Sequence, residues 1–340
     1  MNVQEALATV VVGKDLTQEE AKETLASIMR GEAPSSQIGG LLVALRMKGE
    51  TVEEIAGFVA AMREASTRCP VDVPVVDIVG TGGDHAGTFN ISTTTAFVVA
   101  GAGGNVAKHG NRGVSSRSGA ADVLSVLGVS LELSPEQVAQ CVSQAGVGFL
   151  FANAFHPAMK HVAPVRREMG LRTIFNLLGP LTNPAGTKRL LVGVFDQRWC
   201  TPLALALGRL GTEKAWVVHG SDGLDEITVT GRTFVSEWTG TEVREFEIDP
   251  QEYGIATATL ADLAGAGPEE NAVITRGILS GAIAGAPRDI VLLNAAAALV
   301  VAGKAETIAK ALELARHSID SGSAMKALST LVELSKEMQG

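Results

Sequence analysis

The chain changes texture once, and that change limits its fold more than any other feature. Up to residue 70 the apolar residues recur at helical spacing, in VQEALATVV, EAKETLASIM, IGGLLVALRM and VEEIAGFVAAM. Thr17 with Glu20 and Thr51 with Glu54 are spaced as capping boxes, which mark two helix starts. At CPVDVPVVDIVG two prolines break the helical pattern. Beyond it come β-branched or apolar bursts at Val75 to Val79, Val147 to Phe151, Leu190 to Phe195 and Ala215 to Val218. Helical patterns separate them, such as Ser134 to Ala145, which opens with a cap, a proline and a box. Strands that alternate with helices require a largely parallel sheet. The expected fold is α/β: a small all-helical domain over 1–70 and a large domain over 71–340. The large domain should carry a mostly parallel central sheet flanked by helices, and a helical segment near 165–185 should join the smaller one.

Two later stretches refine this reading. RDIVLLNAAAALVVAG reads as a buried helix, and TFVSEWTGTEVREFEIDPQEYG carries short period-two runs. ISTTTAFVVA would be strand by propensity, yet it follows a glycine loop with Asn90 placed as a cap, so it is read as helix. Aromatic residues make up only 4% of the 340 residues while 46% are hydrophobic, so Ala, Val, Leu and Ile must build the core.

The charge balance excludes some partners. With 37 acids against 28 bases the net charge is -9, which argues against a general nucleic-acid or anionic-membrane surface. No apolar run is long enough to span a bilayer, and MNVQEALATVVVGKD lacks a basic start and a small-residue cleavage site. A cytoplasmic protein is expected. Cys69, Cys141 and Cys200 are odd in number and far apart, which suits a reducing compartment. No C-x-x-C or H-E-x-x-H occurs, and His156 and His161 lie on different faces of any helix, so a zinc site is not expected.

Three clusters carry chemistry. In VVDIVGTGGDHAGTFNIST, a glycine loop after a strand and before a helix turns backbone amides toward an anion, most simply a phosphate. The Rossmann fingerprint fails because His85 stands where glycine is needed, and the Walker spacing from Gly82 to Gly87 lacks its lysine. Asp84 repels phosphate; it fits if it accepts hydrogen bonds from loop amides or sugar hydroxyls, or acts through a metal-bound water. A solvated aspartate in an ordinary turn is the other reading. Asn90, Ser92 and Thr93 crowd the helix start with groups that can ligate a phosphate or a cation.

The second cluster, KHGNRGVSSRSG, puts Lys108, Arg112 and Arg117 beside the hydroxyls of Ser115 and Ser116, a set able to counter several phosphate charges. In the third, HGSDGLDEIT, Asp225 and Glu226 follow the strand-like KAWVVHG. Adjacent carboxylates at the carboxyl edge of a parallel sheet suit Mg2+, which shares hard oxygen ligands with substrate phosphates. Solvated basic and acidic loops are the plain alternatives to both.

Together these clusters resemble the anthranilate phosphoribosyltransferase family. GTGGD at Gly80 to Asp84, NIST at Asn90 to Thr93, KHGNR at Lys108 to Arg112 and LDE at Leu224 to Glu226 are intact, as are HPAMKHVAPVRREMG and RTIFNLLGPLTNPA. The resemblance implies transfer of a phosphoribosyl group from 5-phosphoribosyl 1-diphosphate to the amino group of anthranilate, with release of diphosphate, in tryptophan biosynthesis. It also implies that Gly80, Gly83, Asp84, Thr88, Asn90, Ile91, Ser92 and Thr93 meet the donor. Lys108, His109, Gly110, Asn111, Arg112, Gly113, Val114, Ser115, Ser116 and Ala120 would close over its diphosphate and ribose. Ser92, Asp225 and Glu226 would hold Mg2+, and Gly80, Asn111 and Arg166 would contact anthranilate.

The family's homodimer through the helical domain is expected too. Departure of diphosphate needs charge stabilisation rather than a protein nucleophile, and the neutral aromatic amine needs no base before attack. No acid or base residue is therefore named.

Departures from the family pattern are Gly113 and Ala120, where serine is common, and Phe155, where a second histidine is common. His109 and His156 either line the acceptor route or serve as capping and packing residues. A pyrimidine nucleoside phosphorylase shares this two-domain plan, but Asn111 and the LDE triplet speak against it. A catalytically silent nucleic-acid-binding relative should be basic and should have lost its carboxylates; this chain is neither.

Overall fold

The computed structural model describes residues 1–113 and 117–339. Val114, Ser115 and Ser116, expected above at the donor site, lie outside the described residues. Seven strands form one sheet in the order β3-β2-β1-β4-β5-β6-β7: β1 (Val76–Gly80), β2 (Val106–Gly110), β3 (Val147–Phe151), β4 (Arg189–Gly193), β5 (Lys214–Gly220), β6 (Thr233–Trp238) and β7 (Val243–Ile248). The first five are parallel, with Gly80 opposite Gly193 and His109 opposite Leu150, while β6 and β7 add antiparallel at one edge. The α/β fold read from the sequence is the fold observed.

Four helices precede the sheet: α1 (Val3–Val11), α2 (Gln18–Met29), α3 (Ser35–Lys48) and α4 (Val52–Ala65). The Thr17 and Thr51 capping boxes are both formed, and the Glu54 carboxylate, fully buried, also accepts from Leu16 N at 3.0 Å. Between the strands run α5 (Ile91–Gly101), α6 (Ala120–Leu127), α7 (Pro135–Ala145), α8 (Ala152–Phe155), α9 (Ala163–Met169), α10 (Phe175–Leu178) and α11 (Cys200–Arg209). Four more follow the sheet: α12 (Pro268–Leu279), α13 (Ala286–Val301), α14 (Ile308–Asp320) and α15 (Ser323–Glu337).

Side chains of successive strand residues leave opposite faces of the sheet, and here they feed different cores. Val76, Ile78, Val106, Leu191, Trp216 and Val218 pack with α5 and α13 to α15. Leu190, Val192, Ala215 and Val217 pack with α11 and the first four helices, and Val165, Ile174, Phe175 and Leu178 of the 162–181 segment join that second core. Arg63 Nε donates to Leu181 O at 2.8 Å across the same seam.

α5 shows tertiary packing overriding propensity. Its residues from Thr93 to Val99 are all buried, so its β-branched side chains gain contacts on every face. Asn90 holds the N-cap position but does not cap with its side chain, contrary to the sequence reading. Its Oδ1 instead accepts from Ser118 Oγ at 3.0 Å and Asn271 Nδ2 at 2.9 Å. The carboxylate of Glu226 takes over part of the cap, accepting from Ser92 N at 3.1 Å.

Candidate active site

The strand order places a switch point between β1 and β4. From β1 the chain steps outward to β2 and β3, then returns to β4 on the other side of β1. Connections leaving in opposite directions open a crevice at the carboxyl ends of the strands, where ligands of α/β sheets bind. β1 and β4 end there in Gly80 and Gly193, and the reason is steric: a Cβ on either would overlap Asp225. The absent side chains let the 224–227 turn lie across the strand ends.

A cleft of about 340 Å3 opens at this point. Gly80, Gly83, Asp84, Thr88, Asn90, Ile91, Ser92, Lys108, His109, Gly110, Asn111, Arg112, Gly113, Ala120, Asp225 and Glu226 all line it. Thr93 does not; it is a buried residue within α5. Nor does Arg166, which stands on α9 with its guanidinium 5.2 Å over the Phe175 ring. Thr81, Gly82, Gly87, Ser118 and Gly119, part of the two loops but not named individually, also line the cleft, and Gly265 and Ala266 were not expected. Arg117, read only as part of the basic cluster, lines it as well.

The floor is a set of charges held against their preference. Gly82 N donates to Asp225 Oδ2 at 2.6 Å, and the carboxylate of Asp84 lies against that of Asp225. Burial, then repulsion from Asp84, pushes the Asp225 carboxyl up to about 7. Burial and the neighbouring Asp225 push Glu226 up to about 8. Lys108, only 3% exposed, donates from Nζ to Ile78 O at 2.6 Å and to Ser92 Oγ at 3.2 Å. Burial lowers its pKa, and Asp77, Glu226 and Asp225 pull it back up. Three acids and one buried amine thus surround a space whose own electrostatics call for a further cation.

Arg112 is drawn off this floor: it pairs with Asp122 at 3.0 Å and lies 5.8 Å from the Phe151 centroid. Asp122 also accepts from Gly113 N at 2.8 Å and Gly119 N at 2.9 Å, pinning both ends of that loop. The Arg166 side chain makes no ion pair or hydrogen bond among the described residues, and burial lowers its pKa. Among the described residues it is a half-buried cation without a counter-ion.

Sequence reading missed two supports of the site, the Asp77–Asn183 brace and Asn294. Asp77, buried in β1, accepts from His109 N at 3.1 Å and Asn183 Nδ2 at 2.7 Å; Asn183 also donates to Ala107 O at 2.7 Å. This brace fixes β2 on both sides of Lys108. Burial raises the Asp77 carboxyl to about 6. Asn294, in the Ala-rich α13, accepts from Ile227 N at 3.0 Å and donates to Ile227 O at 2.7 Å, anchoring the turn that carries Asp225 and Glu226. A lone amide in LLNAAAALVV was the available signal, because a buried polar group needs partners. Finally, His109 and His156 are neighbours, with ring centroids 5.1 Å apart. Burial lowers their pKa to about 3 and about 4, and the Nε2 atoms of both lack a partner among the described residues.

Comparison with known proteins then decides the family. Residues 72–325 match the α/β domain model of a glycosyl transferase family, and residues 4–66 match that family's helical bundle domain. The anthranilate phosphoribosyltransferase of Chelativorans is 57% identical over 331 residues, covering 97% of each chain. That of Nitrobacter hamburgensis is 54% identical over 329 residues, again covering 97% of each. The chain belongs to the anthranilate phosphoribosyltransferase family. It is an enzyme of the glycosyl transferase class.

Solved members of the family share the whole architecture. The anthranilate phosphoribosyltransferase of Thermus thermophilus superposes with a TM-score of 0.93 at 46% identity, over 97% of this chain and 99% of that one. The Saccharomyces cerevisiae enzyme, in complex with PRPP and Mg, gives 0.91 at 27% identity over 98% of both.

Proposed function

We propose that this anthranilate phosphoribosyltransferase family member transfers the phosphoribosyl group of 5-phosphoribosyl 1-diphosphate to the amino group of anthranilate. The products are N-(5-phosphoribosyl)anthranilate and diphosphate, and the step belongs to tryptophan biosynthesis. One observation carries the reading: at the switch point a loop of glycine amides faces Asp225 and Glu226, whose burial and mutual repulsion demand a cation. Such a floor suits an anion delivered together with a metal.

The residues present fit Mg2+. Ser92, Asp225 and Glu226 offer hard oxygens, and the raised carboxyl pKa values mark an electrostatic debt that a dication relieves. Among the described residues no three His, Cys, Asp or Glu side chains form a complete cage, so substrate oxygens would have to finish the coordination. When bound, the ion supplies positive charge to the departing diphosphate.

The chain's own groups do the rest. Gly80, Gly83, Asp84, Thr88 and Asn90 to Thr93 take the ribose and phosphate side of the donor. Thr93 contributes by fixing the first turn of α5, since it does not face the cleft. Lys108 to Gly113 and Ala120 close the opposite wall, and the donor-contact role expected for Val114, Ser115 and Ser116 falls outside the described residues. Lys108 Nζ, held by Ile78 O and Ser92 Oγ, presents charge to the leaving group.

Gly113 and Ala120 donate no hydroxyl, and the backbone amides Gly113 N and Gly119 N are engaged by Asp122. Ser118 nearby also lines the cleft, with its hydroxyl donated to Asn90 Oδ1 at 3.0 Å. Arg166 receives the anthranilate carboxylate, the counter-ion it lacks, while Gly80 and Asn111 flank the acceptor ring. The amine lone pair forms the C–N bond as the C1–O bond breaks toward diphosphate, and the amine loses its proton afterwards.

We further assign residues 1–70, joined by 165–185, to one functional unit and 71–340 to the donor-binding unit; the shared core of α3, α4, α9 and α10 supports the joining. The exposed apolar side chains Val11, Val12 and Met47 support a homodimer through this unit. We place the enzyme in the cytoplasm, which its three unpaired cysteines support. No helix among the described residues is long and apolar enough to cross a membrane.

The test is direct. Protein, 5-phosphoribosyl 1-diphosphate, Mg2+ and anthranilate are mixed and the loss of anthranilate fluorescence is followed. An unchanged signal beside an active control enzyme rejects the proposal.

A further inference from the structure

The glycine loop is gripped from outside the cleft as well as from inside. Within the cleft, Gly82 N donates to Asp225 Oδ2 at 2.6 Å. On the outer side, Arg172 Nη2 donates to the carbonyl of Gly83 and lies 3.0 Å from His85 Nε2. Arg172 is not among the cleft-lining residues; it belongs to the wall of a separate, mainly apolar pocket with Leu42, Met47 and Met169. Its guanidinium sits 4.3 Å over the centre of the Phe195 ring, just beyond β4. Its own carbonyl accepts from Arg46 on α3.

The geometry of the peptide unit makes this contact functional. No cis peptide bond occurs in the described chain, so the Gly83 carbonyl and the Asp84 N–H point in opposite directions. Drawing the carbonyl out to Arg172 therefore turns the Asp84 N–H inward. That N–H has no acceptor in the protein among the described residues. The loop does not hold this shape by itself: Gly82, Gly83 and Gly87 have φ of 67°, 79° and 68°, and His85 is the one described non-glycine residue with positive φ, at 58°. Left-handed backbone at a non-glycine residue is unfavourable and persists where neighbours hold it. The Arg172 contact with His85 is such a hold.

We infer that Arg172 is a positioning residue for donor binding: stacked on Phe195 and tied to the helical bundle through Arg46, it sets the Gly83–Asp84 peptide so that an amide faces the donor's anionic oxygens. This rests on the transfer reaction proposed above. Arg172 touches no reacting atom. The helical bundle thereby bears on the donor loop through one side chain, although none of its four helices lines the cleft.

The test separates donor binding from the rest. Affinity for 5-phosphoribosyl 1-diphosphate with Mg2+ is measured by calorimetry, without anthranilate, for the wild type, Arg172→Ala and Arg172→Lys; KM for each substrate is measured alongside. Arg172→Ala should weaken donor binding and raise donor KM about tenfold, with anthranilate KM within about twofold of wild type. Arg172→Lys should recover part of the loss, because an ammonium can donate to one carbonyl but cannot lie flat on Phe195. Phe195→Leu, which keeps the guanidinium and removes its platform, should shift donor KM in the same direction.

Donor affinity of Arg172→Ala within about twofold of wild type overturns the inference, as does an equal rise in both KM values. If the wild type binds the donor but transfers nothing to anthranilate, the functional reading fails instead, and the calorimetric comparison still judges Arg172.

Discussion

Replacing Asn294 with alanine should loosen the acidic floor from behind. The amide is fully buried in α13; it accepts from Ile227 N at 3.0 Å and donates to Ile227 O at 2.7 Å and Ile290 O at 2.8 Å. Ile290 O keeps its helical partner in the variant, so two groups are orphaned, the N–H and C=O of Ile227. Each unsatisfied buried group costs about 1–3 kcal/mol, which makes roughly 3–5 kcal/mol a fair expectation for Asn294→Ala. For a chain of this size that is a fall in melting temperature of about 5 °C or more. Asn294→Leu is the control. It refills the space without restoring a partner, so it should be as unstable as alanine if hydrogen bonding is the cause and nearly wild type if the cavity is.

The functional consequence follows from adjacency. Ile227 succeeds Glu226, so freeing its backbone lets Asp225 and Glu226 spread. The Mg2+ concentration for half-maximal transfer should then rise about tenfold, equivalent to about 1.4 kcal/mol of lost cation binding. Thermal unfolding without ligand and an Mg2+ titration of the rate measure the two effects. A melting temperature within about 1 °C of wild type together with an unchanged Mg2+ requirement would refute the anchoring role.

Asp225→Asn combined with Glu226→Gln should abolish Mg2+-dependent turnover. Since burial penalises ionisation of both carboxyls, the metal-free protein should melt no lower than wild type, and near-normal turnover contradicts their metal role. Arg166→Ala should raise anthranilate KM about tenfold or more and leave donor KM unchanged, as loss of one charge-assisted carboxylate contact requires; steady-state kinetics in both substrates decide it. His156 should make the fold acid-sensitive. Its pKa falls from 6.5 to about 4 on folding, so below 6.5 the unfolded chain takes a proton that the folded chain refuses. Stability from this group is complete above 6.5 and is lost as pH falls toward 4, at up to about 1.4 kcal/mol per pH unit. Between pH 7 and pH 5, denaturant titrations should therefore show His156→Gln gaining roughly 2 kcal/mol on wild type, and a constant gap is the contrary result. Sedimentation at micromolar concentration should show a dimer; a monomer alone contradicts the proposed homodimer.

The difference between what the sequence disclosed and what it hid lies in the range over which each signal acts. The capping boxes at Thr17 and Thr51, the strand at β1 and the glycine loop after it are local, and periodicity or composition within a dozen residues reveals them. Most of the residues that line the cleft were also legible, because glycines, hydroxyls and paired acids have few other joint uses. What stayed hidden is the support that makes those groups effective. Asn294 meets Ile227 across 67 positions and Asn183 meets Asp77 across 106, distances over which no spacing rule operates.

Asn90 shows why even a correct local signal can be redirected. It sits where a cap belongs, yet Ser118 and Asn271 engage its side chain, and Glu226 from 134 positions away satisfies the amide of Ser92. A carboxylate that caps a helix N-terminus and also lines the cleft would link two events if a cation bound there. A cation that draws Glu226 toward itself takes an acceptor from Ser92 N–H, and that freed donor then points at whatever anion arrives with the cation.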